Sequence, residues 1–232
     1  MFKEEEIKPF INGKLIESPY LNIYTYPKEL DYLDSRPLPL PPKWHQFDSF
    51  IRLSEQDFEL PEKLKQKSGK FIFLSLGSLG SSNVQLMKRL VNLIADLPFR
   101  FIVAKGIFGD QYDLPSNCWG DNMVPQINVL PKVDLVITHG GNNTVGETFY
   151  FGKPMIVMSM FCDQFDNAQR IQEKGFGIRI NPFQCTKDQL LNAIEKLVND
   201  QELALKMKKI SERIKAEVKL GKVGHLIENL VS

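Results

Sequence analysis

Residues Asp134–Glu147, DLVITHGGNNTVGE, decide how this chain is read. Leu135, Val136 and Ile137 make a short apolar run, the pattern of a strand buried on both faces of a parallel sheet. Gly140 and Gly141 follow. Lacking a Cβ, they let the backbone turn sharply and approach a ligand. Asn142 or Asn143 then fits the N-cap of a helix, whose free N–H groups and positive dipole end face whatever lies beyond the strand. His139 stands at the strand's C-terminal edge, and Asn143 and Glu147 share one helical face. The spacing suits a phosphate at the helix tip and a hydroxylated group such as ribose one turn further on. It equally fits an ordinary strand–turn–helix with a solvent-facing histidine.

The flanking sequence repeats the alternation. Phe71–Leu76 (FIFLSL) reads as a buried strand, Gly77–Ser82 as a turn, and Asn83–Leu97 as a helix with apolar residues at helical spacing. Strands are expected at Phe99–Ala104 and Asn117–Val124, with a short helical piece at Ile127–Leu130. After the central unit come a strand at Pro154–Met160, a helix at Asp163–Lys174 closed by Gly175, and a strand at Gly177–Ile180. Two amphipathic helices, Thr186–Asn199 and Gln201–Leu220, carry Thr186 and Asp200 as caps, and Gly221 and Gly224 frame a last helix to Ser232. Strand alternating with helix predicts an α/β fold, a Rossmann-like doubly wound parallel sheet. In such a sheet ligands bind beyond the carboxyl ends of the strands. Ser78 after the first strand, His139 after the fourth, and Asp163 and Gln164 after the fifth therefore converge on one edge.

Composition narrows the function. Lys and Arg number 29 against 28 Asp and Glu, which gives no electrostatic case for nucleic acid or an anionic membrane. Cys118, Cys162 and Cys185 fit no metal or disulfide spacing, and neither a signal peptide nor a membrane-spanning run is evident, so a cytoplasmic protein is expected. Tyr20–Tyr26 reads as a strand without an obvious partner nearby. From Pro27 to Trp44 the chain is proline-rich and reads as an extended linker. His45, His225, Trp44 and Trp119 read as surface or packing residues.

Val124-Pro125-Gln126 followed by THGGNNTVGETFYFGKPMIVMSMFCDQFDNA resembles the signature of the UDP-glycosyltransferases, and FLSLGS at Gly77-Ser78 matches as well. The resemblance covers about residues 24–230 and implies the C-terminal half of a GT-B fold, in which two Rossmann-like domains face each other. By this likeness His139 is the phosphate-binding histidine, and Gly141, Asn143 and Thr144 form the turn that cradles the diphosphate, with the Ser78 hydroxyl nearby. Glu147 accepts from the ribose hydroxyls, Asp163 and Gln164 bind the donor sugar, and Gln126 lies beside the base. Where many relatives stack a Trp on the base, this chain has Met123, whose thioether packs less selectively.

The same likeness divides the chain into residues 1–45, a remnant of the N-terminal acceptor domain with the linker; 46–220, the nucleotide-sugar-binding domain; and 221–232, a terminal helix that packs back toward the acceptor domain. It implies a UDP-sugar co-substrate, a small lipophilic acceptor and no metal. Transfer to the acceptor hydroxyl would proceed with inversion, using a catalytic base carried by the acceptor domain. The chain is then a donor-binding part that is inactive alone. The alternative is a nucleotide-sugar-binding subunit of a split glycosyltransferase that works with a separate catalytic chain.

Overall fold

The strand Leu135–Thr138 lies in the middle of a fully parallel six-stranded sheet, and all four of its residues are buried. The computed structural model describes residues 18–32, 43–48, 50–51, 57–217 and 219–231. In chain order the elements begin with β1 (Asn22–Thr25), β2 (Trp44–Phe47), α1 (Glu62–Lys65), β3 (Phe71–Ser75), α2 (Gly77–Ser81), α3 (Val84–Ile94), β4 (Arg100–Ala104) and β5 (Cys118–Asp121). They continue with α4 (Gln126–Val129), β6 (Leu135–Thr138), α5 (Asn142–Tyr150), β7 (Met155–Val157), α6 (Gln164–Glu173), β8 (Gly177–Arg179), α7 (Lys187–Asn199), α8 (Gln201–Ala216) and α9 (Lys219–Val231).

The large sheet runs β5-β4-β3-β6-β7-β8. Chain order therefore reverses between β3 and β6, and this switch point is where a doubly wound sheet opens its ligand crevice. The register pairs Ile72 with Leu135 and Ser75 with Thr138, so both strands end level at that crevice. Continuous burial explains the unbroken apolar strands: Ile72, Phe73, Leu74, Leu135, Val136, Ile137, Met155, Ile156 and Val157 are all 0 % exposed. Helix α3 packs on α7 and helix α5 on α8 and α6, which covers the sheet. Asn83 caps α3, Thr186 forms a capping box on α7, and Asp200 caps α8, as the sequence predicts for the last two.

Three expectations change. Residues 20–26 do have a partner close in sequence: β1 pairs in parallel with β2, Ile23 opposite His45, so Trp44 and His45 are strand residues rather than the end of a linker. Residues 33–42, the bulk of the proline-rich run, lie outside the described residues. At the C-terminus α8 ends at Ala216, not Leu220, and α9 starts at Lys219 with Gly221 and Gly224 inside it. Gly77–Ser81, expected as a turn, winds into the short helix α2.

The β1–β2 unit is tied to the main body by two arginines. Arg170 on α6, 5 % exposed, donates through Nε to the Leu30 carbonyl at 2.8 Å and through a terminal nitrogen to that of Asp31 at 2.9 Å. Arg213 on α8 pairs with Glu29 and with Asp48, both at 2.8 Å. Among the described residues no helix is long and apolar enough to cross a membrane.

Candidate functional site

At the switch point the chain leaves β3 into Gly77 and leaves β6 into His139, and the histidine ring fills the space between two glycines. A Cβ placed on Gly77 would lie 2.7 Å from His139 Cε1, and one on Gly141 would lie 2.5 Å from His139 Nε2. Real Cβ contacts are not that short, so the imidazole keeps this place because neither residue has a side chain. Gly77 also has φ +70°, a conformation that L side chains rarely adopt. Burial pushes the His139 pKa below its ordinary value, opposed by a hydrogen bond with the Ser75 backbone and by the charge of Asp163. The net shift is downward, so the ring is neutral at pH 7.

An open cleft of about 480 Å³ lies above this ring, lined by Ser78, His139, Gly141, Asn143, Thr144, Asp163 and Gln164 among others. Seven of the ten residues singled out from the sequence thus share one space. The cleft faces the N-terminus of α5, whose first turn presents backbone N–H groups that have no partner within the helix, and the positive end of the helix dipole. Neither Asn142 nor Asn143 caps that helix. The N-cap position belongs to Gly141, which has no side chain to offer, and the Asn142 backbone N–H donates instead to Asp163 Oδ2 at 3.3 Å. The Asn142 side chain reaches away, donating through Nδ2 to the Thr25 carbonyl of β1 at 2.9 Å.

Glu147, one turn along α5, lines a second cavity of about 390 Å³ together with Asn143, Gly146, Thr25, Asp48 and Phe50. Asn143 borders both spaces, so the expected common face of Asn143 and Glu147 is present. Gln126, at the start of α4, donates through Nε2 to Glu147 Oε2 at 2.5 Å and to Thr144 Oγ1 at 3.3 Å. That pair joins the Pro-Gln turn to the helix carrying the site. Met123 stands apart, 86 % exposed and lining neither cavity.

The loop after β7 is held from inside. Gln164 is buried, and its Oε1 accepts from the backbone N–H of Met160 at 2.9 Å and of Phe161 at 3.2 Å. Asp163 beside it is exposed. Asp163 and Gln164, expected as an acceptor-only and a dual-capacity sugar ligand, thus differ further: the glutamine carbonyl oxygen braces the loop, which leaves its amide N–H groups as its donors. Leu76, Leu79 and Phe161 also line the cleft and were not singled out from the sequence, and Asn142, read there only as a candidate cap, lines it too. The doublet Gly77-Ser78 was the available signal for Gly77, but its contact with His139 depends on β3 and β6 being neighbours. Side chains, helix tip and neutral imidazole together make a site for an anionic, hydroxyl-rich ligand.

A family profile described as UDP-glucoronosyl and UDP-glucosyl transferase matches residues 61–215. An uncharacterized UDP-glucosyltransferase of Bacillus subtilis is 28% identical over 148 residues, 62% of this chain and 36% of the relative. A sterol 3-beta-glucosyltransferase of Debaryomyces hansenii is 28% identical over 177 residues, 71% of this chain and 11% of its own. The chain thus spans well under two thirds of the curated relatives it matches. Among solved structures, the glycotransferase of kitacinnamycin superposes with a TM-score of 0.78 at 24% identity, over 92% of this chain and 55% of that one.

Proposed function

Because the chain belongs to the UDP-glycosyltransferase family, whose profile covers residues 61–215, we propose that its cleft binds a UDP-sugar as donor for transfer to a hydroxyl of a small lipophilic acceptor. The observation that carries this reading is the His139 imidazole seated between Gly77 and Gly141 at the N-terminus of α5. It puts a side-chain donor and the helix-tip N–H groups on one point, where a diphosphate is the fitting ligand.

In this reading the diphosphate lies against His139, Gly141, Asn143 and Thr144 with the Ser78 hydroxyl beside it, all of which line the larger cleft. The ribose hydroxyls donate to Glu147, held in turn by Gln126, and the base lies on the Met123–Gln126 side. The sugar extends toward Asp163 and Gln164. As the acceptor oxygen attacks the anomeric carbon its proton passes to a base, and the bond to the phosphate breaks with the electron pair leaving on UDP. Donors already aimed at that developing charge lower the barrier. No metal is needed for this stabilisation.

In this reading the acceptor-side base belongs to the acceptor-binding domain of a two-domain fold, and transfer proceeds with inversion at the anomeric carbon. His139, the histidine of the cleft, is used on the phosphate. A cytoplasmic setting accords with the scattered free cysteines. Calorimetric titration of the chain with UDP and dTDP, repeated with His139→Ala, tests the donor site. Saturable UDP binding, weakened at least about tenfold in the variant, is the expected result for loss of a charge-assisted hydrogen bond. A folded chain that binds neither nucleotide would overturn the reading.

A further inference from the structure

We propose that Asn167 is a positioning residue for the donor sugar: it fixes the Asp163 carboxylate and fastens it to the turn that receives the phosphates. This rests on the donor-site reading above. Asn167 lies on α6, 5 % exposed, four residues after Asp163 and therefore on the same helical face. Its Nδ2 donates to the Gly140 carbonyl at 2.8 Å and to Asp163 Oδ2 at 3.2 Å. A carbonyl and an ionised carboxylate can only accept, so both partners require the amide nitrogen and fix the orientation of the side chain.

A buried asparagine whose role is to satisfy the Gly140 carbonyl needs one N–H for that. The second N–H goes to an exposed carboxylate at the rim of the cleft, which needs no help to be solvated. The Asn142 backbone N–H meets the same oxygen at 3.3 Å. Asp163 Oδ2 is therefore held from α6 and from the tip of α5 at once. Among the described residues no donor is bonded to Asp163 Oδ1, which leaves it for a sugar hydroxyl. The chain Gly140 carbonyl, Asn167 amide, Asp163 carboxylate, Asn142 N–H makes phosphate turn and sugar acid one unit. Without the amide, the carboxylate is free to turn into solvent, and an oriented acceptor becomes a mobile one.

The test compares UDP and UDP-glucose as probes of the 232-residue chain by calorimetry, in wild type, Asn167→Ala, Asp163→Ala and the double variant. Asn167→Ala is expected to lower the ratio Kd(UDP)/Kd(UDP-glucose) about tenfold, the size of one hydrogen bond to a charged group. In the Asp163→Ala background it should lower the ratio no further, because the residue it serves is gone. A role in packing alone would weaken both probes alike and leave the ratio unchanged, and that result overturns the proposal, as does full additivity of the two substitutions. If Asn167→Ala does not fold, the wild-type chain decides. Its Asn167 side-chain amide resonances should move more on adding UDP-glucose than on adding UDP, and equal movement counts against the role. Failure of wild type to bind UDP would remove the donor site itself, a result distinct from an unchanged ratio.

Discussion

Gly77→Ala separates the two demands placed on that glycine. Its φ of +70° is the left-handed region, and alanine there costs about 1–2 kcal/mol of stability. The added methyl would also stand 2.7 Å from His139 Cε1 and 2.9 Å from Nε2. Carbon contacts are comfortable at about 3.5–4.0 Å, so the imidazole must retreat by roughly 0.8 Å or more. A shift of that size breaks a hydrogen bond from the ring to a phosphate oxygen, worth about 1.5–3 kcal/mol, or roughly ten- to a hundredfold in affinity. Gly175→Ala supplies the comparison. Gly175 has φ +71°, yet an added Cβ meets nothing within 4 Å, and the residue lies beyond the end of α6.

Both variants should therefore lose similar backbone stability, about 2–4 °C in melting temperature per kcal/mol for a chain of this size. Only Gly77→Ala should lose UDP. Thermal melts followed by calorimetric titration of each variant give both quantities. If folded Gly77→Ala binds UDP as wild type does, the seat between the glycines is not what aims His139, and the argument for the phosphate site fails. If Gly175→Ala loses UDP equally, the effect is general loosening of the fold and not the position of the ring.

Other outcomes follow from single contacts. Because burial holds His139 below its ordinary 6.5, the unfolded chain binds more protons than the folded one below about pH 6.5; its contribution to stability is complete above that pH and is lost as pH falls toward the folded-state value. Urea titrations between pH 7.5 and 5.5 should show this decline, shallower in His139→Gln, and parallel slopes would contradict it. Arg213→Ala leaves Asp48, 3 % exposed, without its partner on α8 and should cost about 2 kcal/mol, less than the full figure for a wholly buried pair because Arg213 is itself 38 % exposed. Denaturant midpoints measure this. Gln126→Ala should weaken UDP about fivefold by removing one of the bonds that orient Glu147, read by calorimetry against an unchanged melting temperature. Met123→Trp should tighten UDP, by about 1 kcal/mol, if the base lies over that exposed loop, and no change would move the base elsewhere.

What could be read from the sequence was what depends on short spacing. The strand–turn–helix at Asp134–Glu147, the caps Thr186 and Asp200, and the alternation of strands with helices are local patterns, and each is present. The convergence of Ser78, His139 and Asp163 followed from one topological rule and is likewise present. The contacts that give those residues their chemistry were not readable. Gly77 lies beside His139 only because β3 and β6 are neighbours, although residues 76–134 separate them in the chain. Gln164, expected beside the sugar, has its side-chain carbonyl oxygen engaged by the backbone N–H groups of Met160 and Phe161, contacts that only the folded loop after β7 creates.

The N-terminal strands show the same limit more sharply, and they bear on function. Residues 20–26 read as a strand with no obvious partner nearby, and parallel pairing across a proline-rich stretch leaves no short-range signal, because parallel strands need a long crossover. Yet β1 and β2 pair on either side of it, and the pair is anchored where no sequence pattern points: Arg170 to the carbonyls of Leu30 and Asp31, Arg213 to Glu29 and Asp48. Asn142, the first residue of α5, adds its own bond to Thr25 while its backbone N–H meets Asp163. The β1–β2 unit is therefore bonded to the same helix tip that lines the larger cleft. Any motion of that unit relative to the main sheet must act on Asn142, and through it on the carboxylate that Asn167 holds. If the cleft is the proposed donor site, the N-terminal strands belong to its framework, and Arg170→Ala, which removes the side-chain bonds to the Leu30 and Asp31 carbonyls, should register in UDP-glucose affinity although Arg170 lies outside the glycosyltransferase signature.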